Sequence, residues 1–159
     1  MALPSERLSL RVNGVERDVE VERGATLGDV LRNRLDLKGT RFGCGAEQCG
    51  SCMVLIDGAT AFACTTDAAS VAGKSVTTIE GLGTPEAPHA LQRAFLAEQA
   101  AQCGYCMNGM IMATAALLAN NPKPSDTDIR EALDGNLCRC GTHLRIIRAV
   151  KRAAKEMAS

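Results

Sequence analysis

Cys44-Gly-Ala-Glu-Gln-Cys49-Gly-Ser-Cys52 sets three thiols at C-x4-C-x2-C spacing in a glycine-rich stretch, and Cys64 follows. A second quartet has its own spacing: Cys103-Gly-Tyr-Cys106, a long gap, then Cys138-Arg-Cys140. These two sets use up the 8 cysteines of the chain. Disulfides suit short secreted chains that bear a signal peptide, whereas the N-terminal Met-Ala-Leu-Pro-Ser-Glu-Arg lacks the apolar core of such a signal. Zinc accepts four thiolates, but its sites pair two short knuckles, unlike an x4-then-x2 triple. A thioredoxin-like redox pair at Cys103 and Cys106 leaves Cys138 and Cys140 unexplained.

The first spacing is that of a plant-type [2Fe–2S] loop. Two complete four-thiolate sets point to two [2Fe–2S] clusters, one on Cys44, Cys49, Cys52 and Cys64, the other on Cys103, Cys106, Cys138 and Cys140. A chain with two such centres conducts electrons. Gly43, Gly45 and Gly50 are expected to allow positive φ and close backbone approach, so that their N–H groups point at the cluster. The second quartet is expected on helix ends, with helix N-termini favouring an anionic cluster. That site is expected to be the drier of the two, and different settings give different potentials.

The rest of the chain sorts into a sheet half and a helical half. Leu8, Leu10 and Val12 alternate with polar residues, Asn13-Gly14 is a hairpin turn, and Val15, Val19 and Val21 continue as the partner strand. Thr26 with Asp29 resembles a capping box, and Leu27, Val30 and Leu31 form an apolar stripe. Lys38 to Gly50 reads as loop, Met53 to Ile56 as a strand, Asp57-Gly58 as a turn into a return strand through Phe62, and Val76 to Ile79 as the last strand. Gly81, Gly83, Pro85 and Pro88 mark a linker. Beyond it one helix begins at Leu91 and ends near Gln102, and a second through Met110 and Leu118 stops at Asn121-Pro122. A third starts at Ser125 with Asp128, and a fourth holds Leu144, Ile147 and Val150. This predicts an α+β chain: a sheet domain over 1–80 and a four-helix bundle over 81–159.

Composition excludes several functions. Net charge is +0, which points neither to nucleic acid nor to the acidic field of a freely diffusing carrier. With Trp 0, Tyr 1 and Phe 3, stacking surfaces for bases or a flavin are scarce. No apolar run has the length of a membrane span, and available thiolates suit the cytoplasm.

Three motifs in order, Cys44-Gly-Ala-Glu-Gln-Cys49-Gly-Ser-Cys52, Gln102-Cys103-Gly-Tyr-Cys106 and Gly135-Asn-Leu-Cys138-Arg-Cys140, resemble the iron–sulfur subunit of the molybdenum hydroxylases, the family of xanthine dehydrogenase, aldehyde oxidoreductase and carbon monoxide dehydrogenase. The resemblance spans roughly residues 5 to 155. It implies a β-grasp plant-type [2Fe–2S] ferredoxin domain followed by a four-helix-bundle [2Fe–2S] domain. It also implies a large partner subunit that holds molybdopterin, plain or as the cytosine dinucleotide, and oxidises the substrate. By the same resemblance Gln102 hydrogen-bonds the pterin, and Cys140 lies between cluster and pterin.

Two departures narrow the branch. Met107-Asn108-Gly109 stands where the family commonly has Thr-Pro-Gly, and Gly141-Thr142-His143 where it has Thr-Gly-Tyr. Both look like the nicotinate dehydrogenase and isoquinoline oxidoreductase branch. That branch implies an N-heteroaromatic substrate, nicotinate foremost, no flavin subunit, and a cytochrome c subunit or domain as acceptor. Membrane association would then come through a partner. Two rivals stay open: a xanthine-, aldehyde- or carbon-monoxide-type complex with a flavin subunit, and a free two-cluster carrier.

Among the other residues, Met107, Met110 and Met112 read as core packing. His143 reads as a cap or surface group and His89 as solvent-facing. The run Arg145, Arg148, Lys151, Arg152 and Lys155 reads as a solvated helix face, with docking to a partner as the minority alternative.

Overall fold

The computed structural model describes residues 4–158; residues 1–3 of the N-terminal stretch, and residue 159, lie outside it. Strand β1 (Ser5–Val12) turns through Asn13 (φ 52°) and Gly14 (φ 79°) into β2 (Val15–Glu22). Both turn residues are left-handed, as a two-residue hairpin whose twist matches its strands requires. The hairpin pairs from Ser5 with Glu22 to Val12 with Val15. Helix α1 (Leu27–Asp29) is capped by Thr26, whose Oγ1 accepts from Asp29 N at 3.2 Å, and runs on as a π-helical turn, Val30–Arg34.

After the cysteine loop come β3 (Met53–Ile56), a second left-handed turn at Asp57 and Gly58, β4 (Ala59–Phe62) and β5 (Ser75–Thr77). The sheet order is β2-β1-β5-β3-β4, with β5 parallel to β1 and antiparallel to β3. With α1 packed across it, this is the β-grasp arrangement. The last strand stops one residue past Val76, short of the expected Ile79. Asn13 draws Thr78 out of the ladder: its Oδ1 accepts from Thr78 N at 2.9 Å and its Nδ2 donates to Thr78 Oγ1 at 3.0 Å.

The second half is helical: α2 (Ala90–Ala97), α3 (Met107–Asn120), α4 (Asp126–Ala132) and α5 (His143–Met157). Helix α2 ends at Ala97, several residues before the expected Gln102. Gln99 adopts φ 48°, and Ala100 N reaches back to Phe95 O at 2.9 Å. This is a Schellman-type stop without the glycine that usually announces one. Helix α4 starts as expected, with Ser125 and Asp128 capping each other.

Two apolar cores result, one of Leu10, Val19, Leu27, Leu31, Val54 and Val76 under the sheet, the other of Leu91, Phe95, Met110, Ile129, Ile146 and Val150 between the helices. Strand β3 is buried on both faces. Its Val54 enters the sheet core, while Met53 and Leu55 pack on Met112 and Ala113 of α3, which locks sheet to bundle. Met110 and Met112 are fully buried, as core packing requires.

The basic run on α5 is stitched to its own bundle. Arg148 and Arg152 both pair with Glu98, and Lys151 pairs with Asp126. His89 departs from the solvent-facing expectation. It caps α2, its Nδ1 accepting from Leu91 N at 3.2 Å while Gln92 Oε1 accepts from His89 N at 2.7 Å. His143 is exposed at the start of α5. Among the described residues no helix is long and apolar enough to cross a membrane.

Candidate metal centres

The first quartet is held by the loop that leads into β3 and by the end of β4. Cys44 is exposed, Cys49 half-buried, and Cys52 and Cys64 are 2 % and 7 % exposed. Backbone N–H groups of Ala46 and Gln48 both point at Cys44 Sγ at 3.3 Å, and Cys44 N points at Cys49 Sγ at 3.3 Å. These three N–H groups are the backbone donors to the thiol sulfurs of this loop. Gly45 (φ 68°), Glu47 (φ 57°) and Gly50 (φ 70°) are the left-handed positions that fold the loop round its sulfurs. Gly43 has no positive φ; it is small because a Cβ there would lie 2.6 Å from Cys49 Sγ.

The two sides of the site differ electrically. The N–H groups of Ala46 and Gln48 lower the Cys44 thiol to about 7. Burial raises the Cys52 thiol to about 12, and the neighbouring Cys64 side chain adds to the rise.

In the second quartet, Cys103 lies in the turn after α2, Cys106 immediately precedes α3, and Cys138 and Cys140 lie in the turn between α4 and α5. The acidity of Cys103 responds to Cys140 and that of Cys106 to Cys138, so the two turns bring their thiols together. The Tyr105 N–H, with help from Cys140, lowers the Cys103 thiol, while burial and then Cys138 raise Cys106 to about 12. Burial opposes ionisation of Cys138, but the Thr142 hydroxyl and N–H and the Cys106 thiol outweigh it and bring it to about 7. None of these four cysteines is fully buried and Cys103 is exposed, whereas the first quartet has Cys52 and Cys64 buried. The physical reason is placement: helix ends sit at the rim of a bundle, whereas Cys52 and Cys64 flank a sheet strand. Gln102 is exposed beside Cys103.

The donor chemistry fits a two-iron cluster. Within each quartet the thiols are neighbours: Cys44 N donates to Cys49 Sγ, and the acidities of Cys52, Cys103 and Cys106 respond to Cys64, Cys140 and Cys138. A [2Fe–2S] core takes two thiolates on each iron.

The two quartets meet at a tight junction. Leu137, next to Cys138, donates its N–H to the carbonyl of Cys49 at 3.0 Å, and Asn136 Nδ2 donates to Gly50 O at 3.3 Å. Gly109 of α3 lies so close to Gly50 that a Cβ would overlap the Gly50 carbonyl. Asn108 Nδ2 donates to Gly39 O, Tyr105 Oη to Phe42 O, and Arg41 Nη1 to Gly104 O at 2.6 Å. Sequence reasoning assigned none of these residues to the junction. Met107-Asn108-Gly109 was noticeable only as a departure from a common motif, and Arg41 had no signal beyond lying three residues before Cys44.

A family model of the 2Fe-2S iron-sulfur cluster binding domain matches residues 10–76, and one of the [2Fe-2S] binding domain matches residues 78–151. Fold and thiol sets therefore define a two-cluster iron–sulfur protein of the electron-transfer class. A nicotinate dehydrogenase subunit of Pseudomonas putida is 54% identical over 148 residues, covering 93% of this chain and 94% of that protein. The alpha subunit of isoquinoline 1-oxidoreductase of Brevundimonas diminuta is 57% identical over 142 residues, covering 89% and 93%. The crystal structure of quinoline 2-oxidoreductase from Pseudomonas putida 86 superposes with a TM-score of 0.92 at 42% identity, covering 97% of this chain and 96% of that one. This chain belongs to the iron–sulfur small subunits of the molybdenum hydroxylases. It carries two [2Fe–2S] clusters and serves its oxidoreductase by electron transfer.

Proposed function

We propose that this chain carries electrons out of a molybdenum hydroxylase of N-heteroaromatic compounds, nicotinate foremost, and delivers them to an external acceptor such as a cytochrome c. The two [2Fe–2S] clusters supply one-electron storage and transfer. In this reading residues 1–80 form the sheet domain and 81–159 the helical domain. Cys44 and Cys49 hold one iron of the first cluster and Cys52 and Cys64 the other. Cys103 with Cys140, and Cys106 with Cys138, do the same for the second. Gln102 and Cys140 face the pterin of a large subunit.

The observation that carries the relay is the hydrogen bond from Leu137 N to Cys49 O at 3.0 Å, one residue from a thiol of the second site and on a thiol residue of the first. It gives the two sites a short bonded path. Support for a partner at the helical site comes from its apolar rim: Tyr105, Leu137 and Leu144 are 47%, 61% and 69% exposed around these thiols. Exposed apolar groups gathered at one end of a chain mark a surface that another protein covers. The choice of nicotinate rests on the relatives' names and on Met107-Asn108-Gly109 and Gly141-Thr142-His143.

The test is to purify the chain alone and with the large subunit from the same source. The complex is expected to hydroxylate nicotinate with cytochrome c as acceptor, to show two distinct EPR signals on reduction, and to contain no flavin. The chain alone is expected to show both signals and no turnover. Hydroxylation by the isolated chain would refute the division of labour. Bound flavin in the complex would move the reading to the xanthine-type assembly.

A further inference from the structure

Arg41 bridges the two cluster sites. Its backbone starts in the loop that leads to Cys44, where its N–H donates to Ser51 O at 3.3 Å, next to Cys52. Its guanidinium ends on the other site. Nη1 donates to the carbonyl of Gly104 at 2.6 Å, between Cys103 and Cys106, and the group lies over the Tyr105 ring, 5.5 Å from the centroid. The side chain is half-buried.

The ion pairs among the described residues take up Arg7, Lys38, Arg93, Arg148, Lys151 and Arg152; Arg41 is in none of them. A half-buried guanidinium held by a carbonyl and a ring face, without a carboxylate, keeps its full charge for its surroundings. Its contacts fall on the Cys103–Cys106 turn and beside Cys52, where thiolate-ligated clusters would be anionic.

We infer that Arg41 is a positioning residue that sets the potential of the helical-domain cluster. Reduction adds one electron, hence one negative charge, to a cluster that is already negative. A fixed cation nearby favours the reduced form and raises the potential. The guanidinium sits on the Cys103–Cys106 turn, so the effect is larger at that cluster than at the one on the Cys44 loop. The planar fork matters as well as the charge, because it holds Gly104 O and the ring of Tyr105 together. The inference rests on the two-cluster reading.

The experiment is an EPR-monitored redox titration of the complex, with dithionite supplying the electron, on wild type, Arg41→Met, Arg41→Gln and Arg41→Lys. Iron content is measured alongside. Arg41→Met and Arg41→Gln are expected to keep full iron and both signals, with the midpoint of the helical-domain cluster shifted downward and that of the other moved much less. Arg41→Lys, which restores the charge, is expected to recover most of the shift. Gln can still donate to Gly104 O, so it replaces Met in the comparison if Met loses iron. Unchanged midpoints in a fully loaded Gln variant overturn the inference, as does a Lys variant shifted as far as Gln, which would make the effect steric. A wild-type protein with one signal at full iron takes down the two-cluster reading, and this inference with it.

Discussion

Single atoms decide whether a cysteine loop closes. Gly43 shows it: no positive φ is needed there, yet a Cβ would lie 2.6 Å from Cys49 Sγ and 3.3 Å from Ser51 Oγ. Sulfur that ligates iron has nowhere to yield. Gly43→Ala is therefore expected to lose the sheet-domain cluster while the helical one survives. Iron content should drop by about half, because each site holds one two-iron cluster, and one of the two EPR signals should vanish. A variant that keeps full iron and both signals shows that the loop relaxes round the methyl group. At this scale the sequence spoke most clearly, because spacing alone sorts the eight thiols into two sets of four. It did not single out Ala46 and Gln48 as donors to the Cys44 thiol. Ala46 and Gln48 donate to Cys44 because Gly45 and Glu47 take left-handed φ, and nothing in a glutamate announces that conformation.

Helix ends form the next scale, and two of them carry titratable caps. His89 caps α2 by accepting at Nδ1, which requires the neutral ring. Burial, then Arg93, lowers its affinity for a proton below the ordinary 6.5, with Glu156 opposing. As pH falls the unfolded chain therefore takes up a proton first. The cap's contribution is whole above about 6.5 and is lost as pH drops through the lower folded value. Melting temperature measured from pH 8 to pH 5 should show this decline, and His89→Asn, which caps without titrating there, should flatten that part of it.

Asp128 behaves likewise at lower pH. Ser125 N–H and hydroxyl, and Asn121, hold its carboxyl below its usual value, so its contribution is present above the unfolded carboxylate range and fades as pH falls through the folded one. Ser125→Ala, which removes the hydroxyl that accepts from Asp128 N, is expected to cost about 1 kcal/mol. That corresponds to a fall of about 2–4 °C in melting temperature for a chain of this size. No change in a scanning melt would mean that α4 is held by packing of Ile129 alone. The Ser125 cap was legible because serine followed three residues later by an acid is a local signal. The end of α2 was not, since Gln99 does a glycine's work, and neither was the central place of β5, since a parallel pairing between the first and last strands of the sheet has no local cause.

At the scale of the whole molecule, the junction between the two halves was the least legible part. It is made of contacts far apart in sequence: Leu137 with Cys49, Asn136 with Gly50, Arg41 with Gly104, and Gly109 against Gly50. Each uses backbone atoms, so residue type hardly records it; only Gly109, a glycine in the first turn of α3, hints at a close approach. A methyl group at Gly109 would overlap a carbonyl that also accepts from Asn136 and Met53. That carbonyl cannot move without disturbing the loop of one cluster and the turn of the other. Gly109→Ala should therefore push α3 away from the cysteine loop, at about 1–3 kcal/mol, the usual range for overpacking. Each cysteine set lies within one half, so on the proposed ligand assignment both clusters are expected to remain loaded. What should change is their communication: weaker magnetic interaction between the two reduced clusters, and slower turnover with the external acceptor while hydroxylation in single-turnover mode keeps its rate. Loss of one cluster with the inter-cluster coupling unaltered would show instead that Gly109 serves a single site, and that the halves are aligned by the packing of β3 on α3.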